Sequence, residues 1–440
     1  MTEIFAFPTK SISGVFWASL LAFSIPILNS RRIKAWYIFI PIALFLTVLL
    51  VISNSRAGWL GCLSGLAYIA YRYLNNPKTK KGFIEFAVIF LAISFCFLLF
   101  YKLDSSSGRK HIYSISTVML LDKWVHGIGL GKFKSKFNEY QADYFAKNSL
   151  DNKRALLADN TFYAFNDYLQ WSIETGIVGI LFLAMVLYFT IRRIIYLHKD
   201  NLNKPMLVSA TAALICIAVA SLFSYPLQVI PIQGLVLICL GVIAFYPDKR
   251  RGFSTTKKGI TFSYRGFVMI LALIFINNAW NVYKRKQIEK EAFEITQSGY
   301  KTEAIARYKV LIEKYPETGY NWFLYSQQLY YSNRLVEAMK SLNTCRLFYV
   351  DNKLYKLKAD IEQELNMYPE AEKSYLRAIY MVPNRMSSRV DLLNFYVVRN
   401  DTPKAIYWAR SILNMPIKVP SDRVDNMLRE TKFILEKMVK

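Results

Sequence analysis

Between Lys102 and Glu174 the chain gathers groups that could handle an anion and a proton. Asp104, Asp122, Glu139, Asp143, Asp151, Asp159, Asp167 and Glu174 are eight of the twelve carboxylates that precede Tyr283. Arg109, Lys110, Lys123, Lys132, Lys134 and Lys136 accompany them, and Arg56 follows Ser53-Asn54-Ser55 in a short connection. Cationic side chains would neutralise a phosphate or diphosphate, and a carboxylate could take the proton of an incoming hydroxyl. His111 and His126 lie in the same stretch, where a lone loop histidine is more often incidental. An ordinary solvated loop would have the same composition, so the surrounding elements must decide. Glu174 is the exception: it sits about one turn into an apolar run, where a carboxylate is costly unless paired or in a wet cavity.

The elements that position these residues are membrane spans. Crossing a bilayer takes about 20 apolar residues, and eight runs qualify: Ile12–Leu28, Ala35–Ile52, Ala57–Tyr73, Phe83–Tyr101, Tyr168–Ile191, Met206–Phe223, Val229–Tyr246 and Gly266–Tyr283. Lys and Arg stay on the cytoplasmic side of short loops. One set of loops carries Arg31, Arg32, Lys34, then Arg72, Lys78, Lys80, Lys81, then Arg192, Arg193, Lys199, Lys204, then Lys249, Arg250 and Arg251. The alternate loops hold only Arg56, and nothing charged around Ser224–Gln228. Both termini and the segment Lys102–Asp167 are therefore expected outside the cytoplasm. That segment is too apolar for a disordered linker and reads as two or three short helices, with a turn at Gly127-Ile128-Gly129-Leu130-Gly131 that needs no ligand.

Composition excludes several classes. The chain has 440 residues, 54% hydrophobic and 15% aromatic, with 56 Lys+Arg against 31 Asp+Glu. That apolar content excludes disorder, and the basic excess anchors topology on anionic lipid rather than pointing to nucleic acid. Five cysteines, four of them inside apolar runs, form neither a disulfide framework nor a zinc site. No nucleotide-binding glycine motif is present.

After Tyr283 hydropathy falls and a repeat appears. Ala304, Ala338, Ala371 and Ala405 are 34, 33 and 34 residues apart, and Pro316 and Pro383 each follow their alanine by 12. A small residue suits the close approach of paired helices, and proline closes a helix. The pattern resembles tetratricopeptide repeats over Lys286 to about Pro420. The fold class expected is thus all-α: a polytopic membrane helix bundle with about eight spans (residues 1–284, large loop 102–167), then a C-terminal α-solenoid of helix pairs (285–440). A solenoid's concave face would bind a partner protein, a chain segment or a glycan.

Four ordered phrases carry a further resemblance: Ser53-Asn54-Ser55-Arg56, Ser107-Gly108-Arg109, Gly127 to Phe133, and Asn166-Asp167-Tyr168-Leu169-Gln170 with Glu174, Gly176 and Gly179. Together the membrane half resembles the O-antigen ligase and polymerase superfamily, integral-membrane glycosyltransferases of the C type. The stretch Tyr140 to Asn160 resembles its Bacteroidetes-type branch. The resemblance implies transfer of a glycan from an undecaprenyl-diphosphate carrier to a lipid or glycan acceptor hydroxyl, with inversion and without a metal or other cofactor. The setting implied is the periplasmic face of a bacterial inner membrane, with the C-terminal domain in the periplasm. Carried over, Arg56 and Arg109 would hold the diphosphate, since a guanidinium grips phosphate oxygens bidentately. Asn166 and Glu174 would shape the mouth. The resulting catalytic set is Arg56, Arg109, Asp167 and Glu174, with Asn166, Lys110, His126 and Asp143 as substrate-binding residues.

Two departures bear on mechanism. The ligases carry a histidine just before the Asn of the last phrase, where this chain has Phe165, so the proton acceptor must be another group or the reaction another one. The family usually has more spans than eight. A polymerase with the same donor, and a catalytically degenerate scaffold that anchors the repeats, are the competing readings.

Overall fold

The computed structural model describes residues 7–28, 36–100, 103–148, 150, 153–199, 204–247 and 255–439. Arg31, Arg32, Lys34, Lys102, Asp151, Lys249, Arg250 and Arg251, used in the sequence reading, lie outside the described residues. In chain order the helices are α1 (Lys10–Leu28), α2 (Trp36–Ser53), α3 (Arg56–Tyr73), α4 (Pro77–Phe100), α5 (Leu103–Asp122), α6 (Phe133–Ala146) and α7 (Lys153–Leu157). They continue with α8 (Asp167–His198), α9 (Pro205–Ala220), α10 (Ile230–Phe245), α11 (Thr255–Gln297), α12 (Lys301–Lys314) and α13 (Gly319–Tyr331). The last six are α14 (Leu335–Cys345), α15 (Asn352–Glu364), α16 (Tyr368–Met381), α17 (Met386–Val398), α18 (Thr402–Leu413) and α19 (Asp422–Val439). No strand occurs among the described residues.

Two compact units form, and they do not follow chain order. One joins Met1–Leu103 to Ala164–Lys286; the other joins Asp104–Tyr163 to Gln287–Lys440. Sequence reasoning assigned the large loop to residues 1–284; packing groups most of it with the C-terminal helices, through polar contacts described below.

The first unit is the apolar one. Each of the eight apolar runs falls on one of α1–α4 or α8–α11. Among the described residues α1, α8 and the apolar part of α11 are long and apolar enough to cross a membrane, while Ile40–Ser53, α9 and α10 are apolar but shorter. Leu44, Phe86, Leu181 and Leu273 are more than 60% exposed, on outward apolar helix faces of the kind that lipid covers. Hydroxyls are satisfied locally: Ser19, Thr47, Ser64 and Thr211 each donate to the carbonyl four residues back, at 2.7–2.8 Å. Helix contacts consequently rest on small residues. An added Cβ at Gly58 would lie 2.8 Å from the carbonyl carbon and oxygen of Gly14, so α1 and α3 approach backbone to backbone.

The second unit is a succession of helices from α12 to α19, each packed on its predecessor. Ala304, Ala338, Ala371 and Ala405 are fully buried at these contacts. The connections repeat with the same period. Gly299, Asn333, Asn366 and Asn400 all adopt positive φ (83°, 58°, 60° and 54°), five residues before each alanine. Glycine and asparagine are the residues that tolerate this left-handed conformation. The same period in Gly and Asn is a turn signal that the sequence carries beside the alanines.

Three helices do form in the loop. Gly127, Gly129 and Gly131 turn the chain between α5 and α6 with φ of 68°, 102° and 71°.

Candidate functional site

Within the first unit the site builds on the start of α8. Asn166 has extended backbone, and its Oδ1 accepts from the Leu169 amide at 3.0 Å, capping one of the helix's unpaired donors. Just before it, Phe165 is held at φ 53°, a conformation that costs a side-chain-bearing residue about 1–2 kcal/mol. The edge of its ring meets Tyr225, with centroids 5.3 Å apart. The Phe165 ring is thus a packing element.

Asp167 is buried and ties α8 to the α9–α10 connection. Its amide donates to the Ser221 carbonyl and its Oδ2 accepts from the Leu227 amide, both at 2.9 Å. Oδ1 has no well-formed hydrogen bond, although Ser221 and Gln228 lie beside the carboxylate. Three residues on, buried Gln170 works in both directions. Its Oε1 accepts from the Ala164 amide at 3.1 Å, and its Nε2 donates to Glu174 Oε1 at 3.3 Å. Glu174 is 6% exposed.

Beyond Glu174 the helix breaks at Gly176 (φ 63°, ψ −158°), a region essentially restricted to glycine. Trp171 Nε1 spans the break to the Gly179 carbonyl at 2.8 Å, and Thr175 Oγ1 donates to the Trp171 carbonyl at 2.6 Å. The structure therefore brings Asn166, Asp167 and Glu174 together at one helix end, with Gln170 linking the loop to the carboxylate.

Arg56 is the first residue of α3 and is partly buried. Asn54 (φ 48°) turns the chain there. Ser55 Oγ then donates to the Ser11 carbonyl at 2.6 Å and accepts from the Gly58 amide at 3.0 Å. A helix N-terminus carrying an arginine favours an anion. The helix whose start Ser55 grips, α1, also packs beside the Pro226–Gln228 turn that holds Asp167. Arg56 and the α8 start are thereby joined through one helix.

The remaining predicted residues belong to the second unit. Arg109, partly buried, and Lys110, exposed, lie on α5; His126 is exposed after it. His111 is buried, 3.0 Å by its Nε2 from Gln141 Oε1 and near the Phe145 ring, and burial holds its basicity below the usual imidazole range.

Asp143, expected to meet substrate, is ion-paired with Arg377, and Asp159 pairs with Arg385 at 3.0 Å. Arg377 also binds Glu139 through Nε at 2.9 Å, while Tyr355 donates to Glu139 at 2.7 Å. Asn138 donates to the Val350 carbonyl at 2.7 Å and Gln141 to that of Met381 at 2.5 Å. The acids of the loop thus largely dock it onto α14–α17. Glu139 and Asp143, four apart on one face of α6, were the legible half of this network; Arg377 and Tyr355 carried no sequence signal. Among the described residues no cluster of His, Cys, Asp and Glu is arranged to hold a metal ion.

The geometry defines a bundle of apolar helices, three of them among the described residues long enough to cross a membrane, with a polar, kinked helix start and an arginine at a capped helix end. Residues 41–184, about a third of the chain, match the family described as O-antigen ligase. The stretch similar to that family holds Arg56, Arg109, Asn166, Asp167, Glu174 and the docked loop, and it supports a function in membrane glycosyl transfer. No curated protein matches the chain.

Proposed function

We propose that this protein is an inverting membrane glycosyltransferase of the O-antigen ligase type. It would transfer a glycan from an undecaprenyl-diphosphate carrier to an acceptor hydroxyl, at the periplasmic face of a bacterial inner membrane. The family match over residues 41–184 carries the reading, because every residue it needs lies inside that stretch. The acceptor oxygen forms its bond to the anomeric carbon as the bond to the carrier's phosphate breaks, and the diphosphate leaves with the electron pair. Arg56 neutralises the phosphates, and Arg109, on α5, is given the same role by the family resemblance alone. Glu174, oriented by Gln170, takes the hydroxyl proton, and Asp167 is a positioning residue that fixes α8 on the 226–228 turn. The C-terminal helices are a tetratricopeptide-like solenoid in the periplasm.

The test is glycan analysis in a deletion strain complemented with variants. Arg56→Ala and Arg109→Ala are expected to abolish surface glycan at normal protein level, and Glu174→Gln to slow transfer by about 10²–10⁴-fold, the usual worth of a general base. Normal glycan from both arginine variants would defeat the assignment. Long unligated chains on the carrier in the deletion strain would indicate a ligase, single repeat units a polymerase. Labelling His126→Cys with an impermeant thiol reagent in intact spheroplasts reads the sidedness; protection there with labelling only after lysis would place the loop in the cytoplasm.

A further inference from the structure

The second unit contains a groove of about 820 Å³ lined by α13, α15, α17, the start of α19 and the connection Met415–Val419. That volume is in the range of about 300–1,000 Å³ typical of small-molecule sites. One wall is aromatic, with Tyr320 and Tyr331, residues 49% and 54% exposed. The floor is ionic and braced. Lys356 Nζ lies 2.8 Å from Asp360 and 3.6 Å from Asp391, and the Tyr375 hydroxyl donates to Asp360 at 2.7 Å. Opposite, Arg385 is held by Asn352 at 3.1 Å and Asp159 at 3.0 Å.

The partners this groove rejects are informative. An apolar helix laid over it would cover Lys356, Asp360 and Asp391 without giving them any polar partner beyond those they already share, and burying their remaining donor and acceptor capacity is unfavourable. An extended peptide needs several side-chain amides to hold its backbone, and of the three that line the groove Asn352 and Asn384 are engaged by the chain itself, leaving Gln327, whose Nε2 lies 3.4 Å from the Tyr331 hydroxyl. Asn384 Nδ2 donates to the carbonyls of Ala155, Leu156 and Ala158 at 3.1, 2.8 and 2.7 Å. Asn352 binds Asn160 at 2.8 Å and Ser388 at 3.3 Å. What stays open is an aromatic face beside fixed donors and acceptors.

A sugar ring matches that combination. Its C–H face is apolar and stacks on an aromatic ring, and its hydroxyls both donate and accept. Carboxylates and a guanidinium already locked by neighbours lose little freedom in binding them. We propose that this groove binds an oligosaccharide, the acceptor chain of the transfer; only the word acceptor rests on the function proposed above.

The experiment is calorimetric titration of the full-length protein in lipid nanodiscs. The probe is oligosaccharide released by mild acid from the producing cell's surface polysaccharide, with a dextran oligosaccharide as control. Saturable binding of the cell's own oligosaccharide is expected, weakened at least tenfold by Tyr331→Ala and by Asp391→Asn, and within twofold of wild type in Tyr331→Phe, which keeps the ring. Arg56→Ala should bind normally while failing to transfer. No binding by the wild type, equal binding of dextran, or binding indifferent to Tyr331→Ala would overturn the groove assignment. Normal transfer by Arg56→Ala would instead overturn the transferase reading and leave the groove standing.

Discussion

The two units solve the problem of buried polar groups in opposite ways. In the first, most Ser and Thr hydroxyls return to carbonyls of their own helix, glycines let backbones meet, and Asp167 is held by a backbone amide. In the second, side chains far apart in sequence meet each other: Glu139 with Arg377 and Tyr355, Asp159 with Arg385. The difference follows from solvent. In lipid an unsatisfied polar group costs several kcal/mol, so each helix must be nearly self-sufficient before it packs. In water a side chain has solvent until its partner arrives, and networks can join distant segments. The family-like stretch crosses this divide, since α2–α4 and the α8 start obey the first rule and α5–α7 the second.

The sharpest way to break the comparison is glycine replacement. Gly58→Val should destabilise the first unit by about 3 kcal/mol, with a matching drop in its unfolding midpoint in detergent. Gly108, on α5 of the second unit, has open space where a Cβ would stand, so Gly108→Val should leave the second unit's midpoint nearly unchanged. Equal effects would mean close approach is not what distinguishes the first unit.

Next is Arg377→Ala, which leaves Glu139 partly buried without its main cation. A loss of about 2–3 kcal/mol is expected, less than for a fully buried pair. Limited proteolysis should then cut within residues 104–163 before α12–α19. A Glu139→Gln/Arg377→Ala cycle with additive effects would remove the network from the account. Gly176→Ala comes third, about 1–3 kcal/mol from strain at a glycine-only conformation. It should lower transfer more than protein level, because the kink places Glu174.

The smallest effect is pH dependence in the second unit. Burial pushes the Asp391 carboxyl up to about 6, with Asp360 adding to the rise and Lys356 and Arg423 opposing it. Its folded value lies above the unfolded value of about 3.9. The stability it contributes is present below about pH 4 and lost as pH rises through about 6. Wild type should therefore lose a few degrees of melting temperature across that window relative to Asp391→Asn. His111 acts in the opposite sense: its depressed basicity gives stability present above about pH 6.5 and lost as pH falls. A His111→Gln variant should flatten that acid limb, and an unchanged limb would assign it elsewhere.

Much of the architecture was legible because it is periodic or apolar. The eight apolar runs fall on eight helices, and the alanines at intervals of 34, 33 and 34 mark buried contacts between helices. The site was half legible. Asn166 as a cap and Glu174 as a buried carboxylate could be anticipated from type and position. The part played by Gln170, and the strain at Phe165, could not, since both depend on where Ala164 and Tyr225 come to rest.

Local chemistry fixed which segments are helical and which faces are apolar, because helix geometry and hydropathy act within a few residues. Only tertiary structure decided that the loop's carboxylates are spent on Arg377 and Arg385, and that an aromatic and ionic groove lies open beside them. Those pairings join residues more than 200 positions apart, and no spacing rule reaches across that distance until the chain has folded.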